Sequence, residues 1–464
     1  MYNEIVYASD EESVEFEPTE AEAHGGVGGR SKWRIWCTSV LLILLTFWVF
    51  SDQSLLAPNL TAIAREFGMT DQERDWKLGG IQSMLFFVVG GPASLLAGYL
   101  ADILERRILL IMVFTIMGGV PCVCTYFVKN FAQILATRTF SGFSLGGALP
   151  ILFSLAGDLY PSSHRTYVSG VFALVSGAGQ GVGLLIAGVT ADKHGWRLVF
   201  LIVGIPMIVV AIAVCVFVPE PVKGAADGHL QSRTGQEGRE RSRAPSLSVF
   251  RVLTNNLIYA QATLGCLPWG VTFAFMTDYL AQDAGLGTVK ATTVATSFSV
   301  GYSIGVLLNS MIGQKLQNWR PSLIGLMIGS LTIAGVFPTI FIVHSDAGHL
   351  PLWILQAMAC IGACLLSAPG SILPSILINA NEPSSRGSAA AVFNLFNDVG
   401  KGLGPIFGSL IIELTGSRKS ALMWCFSAWL PCGLILLGLI YSYPRDWETA
   451  KMEKGAIELL DHGA

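Results

Sequence analysis

Residues 382–404 read EPSSRGSAAAVFNLFNDVGKGLG, and residues 160–183 read YPSSHRTYVSGVFALVSGAGQGVG. Both segments carry Pro-Ser-Ser, an arginine (Arg165, Arg386) and a Val-Phe-x-Leu stretch (Val171, Phe172, Leu174; Val392, Phe393, Leu395). Glycines then alternate: Gly179, Gly181 and Gly183 in one segment, Gly400, Gly402 and Gly404 in the other. Chance similarity between small-residue helices would not keep that order, so the chain reads as two related halves. The copies differ in their polar side chains. In the later copy Asn394, Asn397, Asp398 and Lys401 fall at i, i+3, i+4 and i+7, one face of a helix. The earlier copy has Ala173, Ser176, Gly177 and Gln180 there.

The surrounding chain is apolar. Its 464 residues are 52% hydrophobic and 13% charged, about half the charge of an ordinary soluble protein. Apolar runs of about 20 residues, enough to cross a bilayer as a helix, recur at 34–57, 78–101, 107–127, 131–159, 166–190, 197–218, 257–280, 291–313, 321–343, 351–379, 388–414 and 420–442. The implied fold is an all-α membrane protein of twelve transmembrane helices in two pseudo-symmetric six-helix bundles, with the repeat at helices five and eleven. The domains expected are a disordered acidic cytoplasmic tail (1–33), an N-terminal bundle (34–218), a cytoplasmic linker (219–256), a C-terminal bundle (257–442) and a cytoplasmic tail (443–464). Placing both termini inside gives the cytoplasmic side the larger share of Lys and Arg, including Lys223, Arg233, Arg239, Arg241 and Arg243 of the linker. The positive-inside rule requires that bias. The first apolar run follows an acidic tail, so it reads as a retained helix and not as a cleaved signal peptide.

Several function classes are disfavoured. A net charge of −3 argues against a nucleic-acid partner. None of the nine cysteines sits in CxxC spacing, which argues against a metal site or a disulfide framework. The seven histidines fall in predicted loops and tails. A membrane-embedded enzyme would need a nucleophile–base or metal set at matching depth, and they do not provide one. No cofactor is expected.

Between helices two and three the chain reads GYLADILERR, 98–107. This resembles the signature loop of the major facilitator superfamily, Gly-x-Leu-x-Asp-x-x-x-Arg-Arg/Lys. Gly98, Leu100, Asp102, Arg106 and Arg107 match it, and Glu105 departs from the usual glycine. The resemblance implies a conformational switch that holds the cytoplasmic helix ends together in one state and releases them in the other. Asp158, at the inner end of helix four, is a partner for Arg106. The second half keeps a degraded copy, GQKLQNWR (313–320), without the acid. Arg138, Gly142 and Gly146 of helix four resemble the family's Arg-x-x-x-Gly motif, whose arginine serves proton transfer. A Gly-Pro step, associated in the family with exchangers and exporters on helix five, appears here only as Gly404-Pro405 in the second half. Direction of transport therefore stays open.

Beyond Arg34 at its inner end, Asp52 is the only charge within helix one. It lies about seven residues before that helix's outer end, and Arg138 about seven after the outer start of helix four. At about 1.5 Å per residue both are on the order of 10 Å below the outer surface. A lone charge at that depth costs roughly 2.5–3.5 kcal/mol, so the two are expected to pair. Either Asp52 is a proton-coupling carboxylate with Arg138 as its switchable partner, or the pair is static. The stripe of Asn394, Asn397, Asp398 and Lys401 lies near the bilayer midplane. Together with Gln180 it is the candidate substrate site, with Lys401 free to leave Asp398 for an anionic or zwitterionic ligand. The alternative is a set of polar helix–helix contacts. Gln82, Gln261, Asp278, Asn309 and Gln356 read as satisfied helix contacts, and Asn59 of the sequon Asn59-Leu60-Thr61 as unused.

Within the superfamily, DQSLLAPNLTAIAREFGMT (52–70), GGIQSMLFFVVGGPASLLAGYLAD (79–102) and LAGDLYPSSHR (155–165) look most like the Spinster branch. That branch consists of proton-linked exporters of lysophospholipids and sphingoid phosphates. It carries an Asp-Arg pair in helix one and a Glu after the helix-four glycines, where this chain has Gln53 and Gly147. The resemblance implies a secondary transporter of a small organic or lipid solute, driven by a proton gradient. Organic-anion and sugar-acid carriers share much of the pattern, and a transport-dead sensor would keep the fold. Tyr2-Asn3-Glu4-Ile5 fits a tyrosine-based sorting signal, for which the partner would be a sorting adaptor and the location an endolysosomal or plasma membrane.

Overall fold

The computed structural model describes residues 28–160, 162–218, 247–345, 348–381 and 385–462. The Tyr2–Ile5 signal, nearly all of the acidic tail and most of the expected linker lie outside the described residues. The long helices run in the order α1 (Gly28–Gln53), α2 (71–103), α3 (106–125), α4 (Phe131–Leu159), α5 (Ser162–His194), α6 (Leu198–Phe217), α7 (253–283), α8 (Thr288–Trp319), α9 (Ser322–His344), α10 (352–380), α11 (Arg386–Thr415) and α12 (418–462). A short helix, Leu60–Glu66, follows α1. No strand occurs among the described residues.

Ten of these helices are long and apolar enough to cross a membrane by length and composition alone. The other two are α7, which carries Asn255, Asn256, Gln261 and Asp278, and α11, which carries the polar stripe. α2 begins at Asp71, seven residues before the apolar run starts at 78, because Thr70 and Glu73 form a capping box there. In such a box each side chain satisfies a backbone N–H that would otherwise lack a partner. The last helix does not stop at 442: it continues through His462, so the segment read as a tail is helical.

Successive helices alternate in direction, so the start of α1, the end of α6, the start of α7 and the end of α12 lie on one side, here the terminal face. The loops after α1, α7 and α11 lie on the far face. Each cluster of buried apolar side chains stays within one half. Leu45, Phe114, Ile151, Phe200 and Val203 belong to the first half. Val294, Leu355, Phe426 and Trp429, and Ile258, Ile328, Ile372 and Tyr443, belong to the second. The halves can therefore move as units without opening a core.

Small residues join the halves from mid-depth to the far face. A Cβ on Gly79 would meet the Phe275 ring, one on Gly80 the Ser409 hydroxyl, one on Gly177 Ser303 and one on Gly188 Thr292. Nearer the terminal face, a Cβ on Gly98 of α2 or Gly170 of α5 would meet nothing within 4 Å. The bundles are pressed together towards the far face, and open space lies beside Gly98 and Gly170 nearer the terminal face.

Candidate functional site

The arginine and glycines of α4 occupy one helix face because 138, 142 and 146 are four residues apart. The glycines let α2 approach backbone to backbone: a Cβ on Gly142 would lie 2.1 Å from Phe86 O, and one on Gly146 2.1 Å from Gly90 O. This approach puts the Phe86 ring 5.1 Å from the Arg138 guanidinium, with Phe200 at 5.6 Å. α1 ends at Gln53, which leaves the Asp52 carbonyl only a long bond from Leu55 N at 3.4 Å and room for a second donor. Arg138 takes both acceptors of that residue, Nη1 donating to Asp52 Oδ1 at 2.6 Å and Nη2 to Asp52 O at 2.8 Å. Only 1% of Arg138 and 3% of Asp52 is exposed. Depth matching in sequence and pairing in space agree. The Arg138 Nε donor is buried with no partner among the described residues.

On α11, Lys401 Nζ lies 3.6 Å from Asp398 Oδ1. These side chains keep 33% and 22% exposure, unlike the dry Asp52–Arg138 pair. The Cys266 thiol of α7 donates to Asn397 Oδ1 at 3.1 Å, and Asn394 is exposed. The Tyr302 phenol of α8 lies within electrostatic reach of Lys401. Tyr302 also stacks edge-on against Trp269, centroids 5.2 Å apart. Trp269 continues into Phe298 at 5.4 Å and Phe273 at 6.0 Å, and Phe273 meets Phe87 of the other half at 5.9 Å. A partly open ion pair thus sits at one end of an aromatic wall that crosses between the halves. Gln180 is placed apart from the stripe. Its Nε2 donates to Gln53 Oε1 at 3.3 Å, in a narrow cleft shared with Thr272, Phe273, Phe298 and Ser299.

Gly98 lies near the terminal end of α2, Asp102 in its last turn, Arg106 and Arg107 at the start of α3, and Asp158 near the end of α4. The side chains of Asp102, Arg106, Arg107 and Asp158 lie outside the described residues. Among the described residues no cluster of His, Cys, Asp and Glu could hold a metal ion.

A charged cluster at the far face was missed by the sequence reading. Starting α2 at 78 and α12 at 420 leaves Asp75 and Arg418 in loops, and Asp278 passes for an ordinary helix contact. In the structure Gly416 takes a left-handed turn (φ 66°) and Ser417 caps α12, which brings Arg418 to the first turn. A cation is unfavourable at that end of a helix, and three carboxylates answer it. Arg418 Nε donates to Asp75 Oδ1 at 3.0 Å, and Nη1 to Asp278 Oδ2 at 2.8 Å and Asp283 Oδ2 at 3.2 Å. Thr61 Oγ1 donates to Asp278 Oδ2 at 2.7 Å. Asn59 is fully buried, its Nδ2 donating to Leu55 O at 2.8 Å. The pattern Asp71-x-x-Arg74-Asp75, read as the first turns of a helix, was the available signal.

The family model described as Major Facilitator Superfamily matches residues 42–405. The chain belongs to this superfamily. Its relatives include the Sphingosine-1-phosphate transporter SPNS2 of Danio rerio, 23% identical over 81% of this chain and 76% of that protein. Multidrug resistance protein MdtG of Escherichia coli is 25% identical over 84% of this chain and 90% of its own length. Among solved structures, a bacterial homologue of the human lysosomal transporter Spinster, inward-facing and unoccupied, superposes with a TM-score of 0.70 at 18% identity, covering 90% of this chain and 98% of that one. The D-xylose–proton symporter gives 0.69 at 14%, covering 88% and 98%. Superfamily members of this kind are transporters and not enzymes. The Spinster-like resemblance and the multi-pass membrane fold stand with them.

Proposed function

We propose that the protein is a proton-coupled secondary transporter of an amphipathic organic anion, working by alternating access. The observation that carries this reading is the partly exposed Lys401–Asp398 pair on α11, at the end of an aromatic wall built from both halves. A ligand anion can displace Asp398 from Lys401 while its apolar part lies along Trp269 and Phe273, with Asn394 and Asn397 beside it and Gln180 bordering the cleft beyond Phe298. Lysolipids and sphingoid phosphates have that shape, and the similarity to SPNS2 favours them. Asp52 supplies the coupling. Protonated, it no longer holds Arg138, whose Nε is already unpartnered. A buried donor without a partner costs about 1–3 kcal/mol, so the guanidinium gains from a second arrangement.

In this proposal the switch is formed by Gly98, Asp102, Arg106, Arg107 and Asp158. It closes the terminal face, which is cytoplasmic, while the far face opens. Tyr2–Ile5 directs the protein to endolysosomal or plasma membranes through a sorting adaptor. The test is transport in liposomes holding the purified protein. Lysophospholipids, sphingoid phosphates, sugar acids and simple organic anions are supplied in turn with a proton gradient. Movement of sugar acids alone would replace the lipid assignment with a sugar-acid carrier, and movement of none would leave a sensor with this fold.

A further inference from the structure

The far-face cluster divides evenly between the halves. The first contributes Arg74, Asp71 and Asp75 from α2, with Thr61; the second contributes Asp278 and Asp283 from α7 and Arg418 from α12. Each half therefore brings one guanidinium and two carboxylates. The two guanidiniums meet at one atom. Arg74 Nε donates to Asp75 Oδ1 at 2.9 Å, and Arg418 Nε donates to the same oxygen at 3.0 Å. Asp75 and Arg418 are buried, and Asp278 is fully so. Asp71 and Asp283 form the exposed rim, beside a depression of about 830 Å³. Glu413 of α11 and Lys419 of α12 border it with partners of their own, Gln72 at 3.3 Å and the His344 carbonyl at 3.0 Å. The backbone is also unusual here. α2 is π-helical over Arg74–Gln82 and α7 over Thr272–Met276 and Tyr279–Asp283, a geometry frequent at functional sites. The Asp75 carbonyl lies in the π-helical stretch of α2, and Ser409 of the other half donates to it at 2.7 Å.

We propose that this cluster is the far-face latch of the transport cycle, built to divide without leaving a buried charge alone. Closed, Asp75 is shared by Arg418 and Arg74. Open, Asp75 and Asp71 stay with Arg74, while Asp278 and Asp283 stay with Arg418. Arg74 and Arg418 are positioning residues that compete for Asp75 and pull the equilibrium in opposite directions. Without Arg418, Asp75 faces Asp278 and Asp283 as like charges across the interface, and the halves part. Without Arg74, Asp75 has only Arg418, and the far face stays shut. The weaker contribution of Arg74 to closure runs through Thr61, 3.4 Å from its Nη1. This inference rests on the alternating-access reading.

Hydrogen-exchange mass spectrometry on the purified full chain, without substrate, tests it. In Arg418→Gln, uptake by peptides covering 60–82 and 272–284 rises roughly tenfold or more, the scale of a substantial population shift. In Arg74→Gln uptake at the same peptides falls. Asp75→Asn removes the shared carboxylate and gives the Arg418→Gln result should that variant fail to fold. A rise in both arginine variants, or no change in either, overturns the latch, because ordinary structural braces act in one direction. Opposite shifts in a protein that moves no solute in liposomes would keep the latch and remove the transport reading.

Discussion

Gly179 and Gly183 of α5 pack on the backbone of α1, where added Cβ atoms would lie 2.4 Å from Phe47 O and 2.4 Å from Ser51 O. Gly400 and Gly404 of α11 pack on α7 in the same way, 2.4 Å from Thr263 O and 2.2 Å from Leu267 O. The intervening glycines turn to the opposite half: Gly181 meets Thr296 of α8, and Gly402 meets Val88 of α2. The repeated glycines therefore have two duties, building each bundle and docking it on the other. The polar positions between them diverge. Gln180 bonds Gln53 of α1 inside its own half, whereas its counterpart Lys401 holds only Asp398 on its own helix and stays a third exposed. Close helix packing tolerates only glycine and so preserves the repeat, while a cavity wall is free to specialise one copy for a ligand.

Making α11 resemble α5 is the strongest way to break this comparison. Lys401→Gln removes the charge that meets the ligand anion, and a hydrogen bond to a charged group is worth about 1.5–3 kcal/mol. Half-saturation of transport rises accordingly, while Gln180→Lys in the same protein does not restore it. The packing duty comes next. Gly404→Ala and Gly183→Ala each place a methyl against a carbonyl that cannot yield, and overpacking of that kind costs about 1–3 kcal/mol. Thermal unfolding in detergent should show similar losses for both. The docking duty gives the smallest effect. Gly181→Ala would put its Cβ 3.3 Å from the Thr296 methyl, a side chain able to shift, so stability changes by less than about 1 kcal/mol. The turnover rate should change instead.

The bundle count, the repeat and the Asp52–Arg138 pair are legible in the sequence because each rests on periodicity along a helix or depth across a membrane. The far-face cluster is not legible in that way. Its members come from residues 61, 71–75, 278–283 and 418, and what joins them is the closed arrangement of the halves, which hydropathy does not encode. The capping box at Thr70 and the turn at Gly416 extend α2 and α12 beyond their apolar runs, which explains why Asp75 and Arg418 fall outside the expected spans. Gln180 shows the opposite limit: its position in the repeat is right, but its rotamer turns it towards α1. Tyr302, Trp269 and Cys266 are also missed, since aromatic and thiol side chains on apolar helices look like core until a partly exposed lysine is found beside them.

The central claim is that coupling and binding are separate, with Asp52 and Arg138 in the first half and Lys401 in the second. The most direct test is proton flux into liposomes holding Asp52→Asn or the unaltered protein, with the transported anion added under a proton gradient. The account predicts proton movement triggered by the anion in the unaltered protein and its loss in Asp52→Asn, while the mutant still exchanges anion across the membrane. Anion-triggered proton movement at an unchanged rate in Asp52→Asn would contradict it.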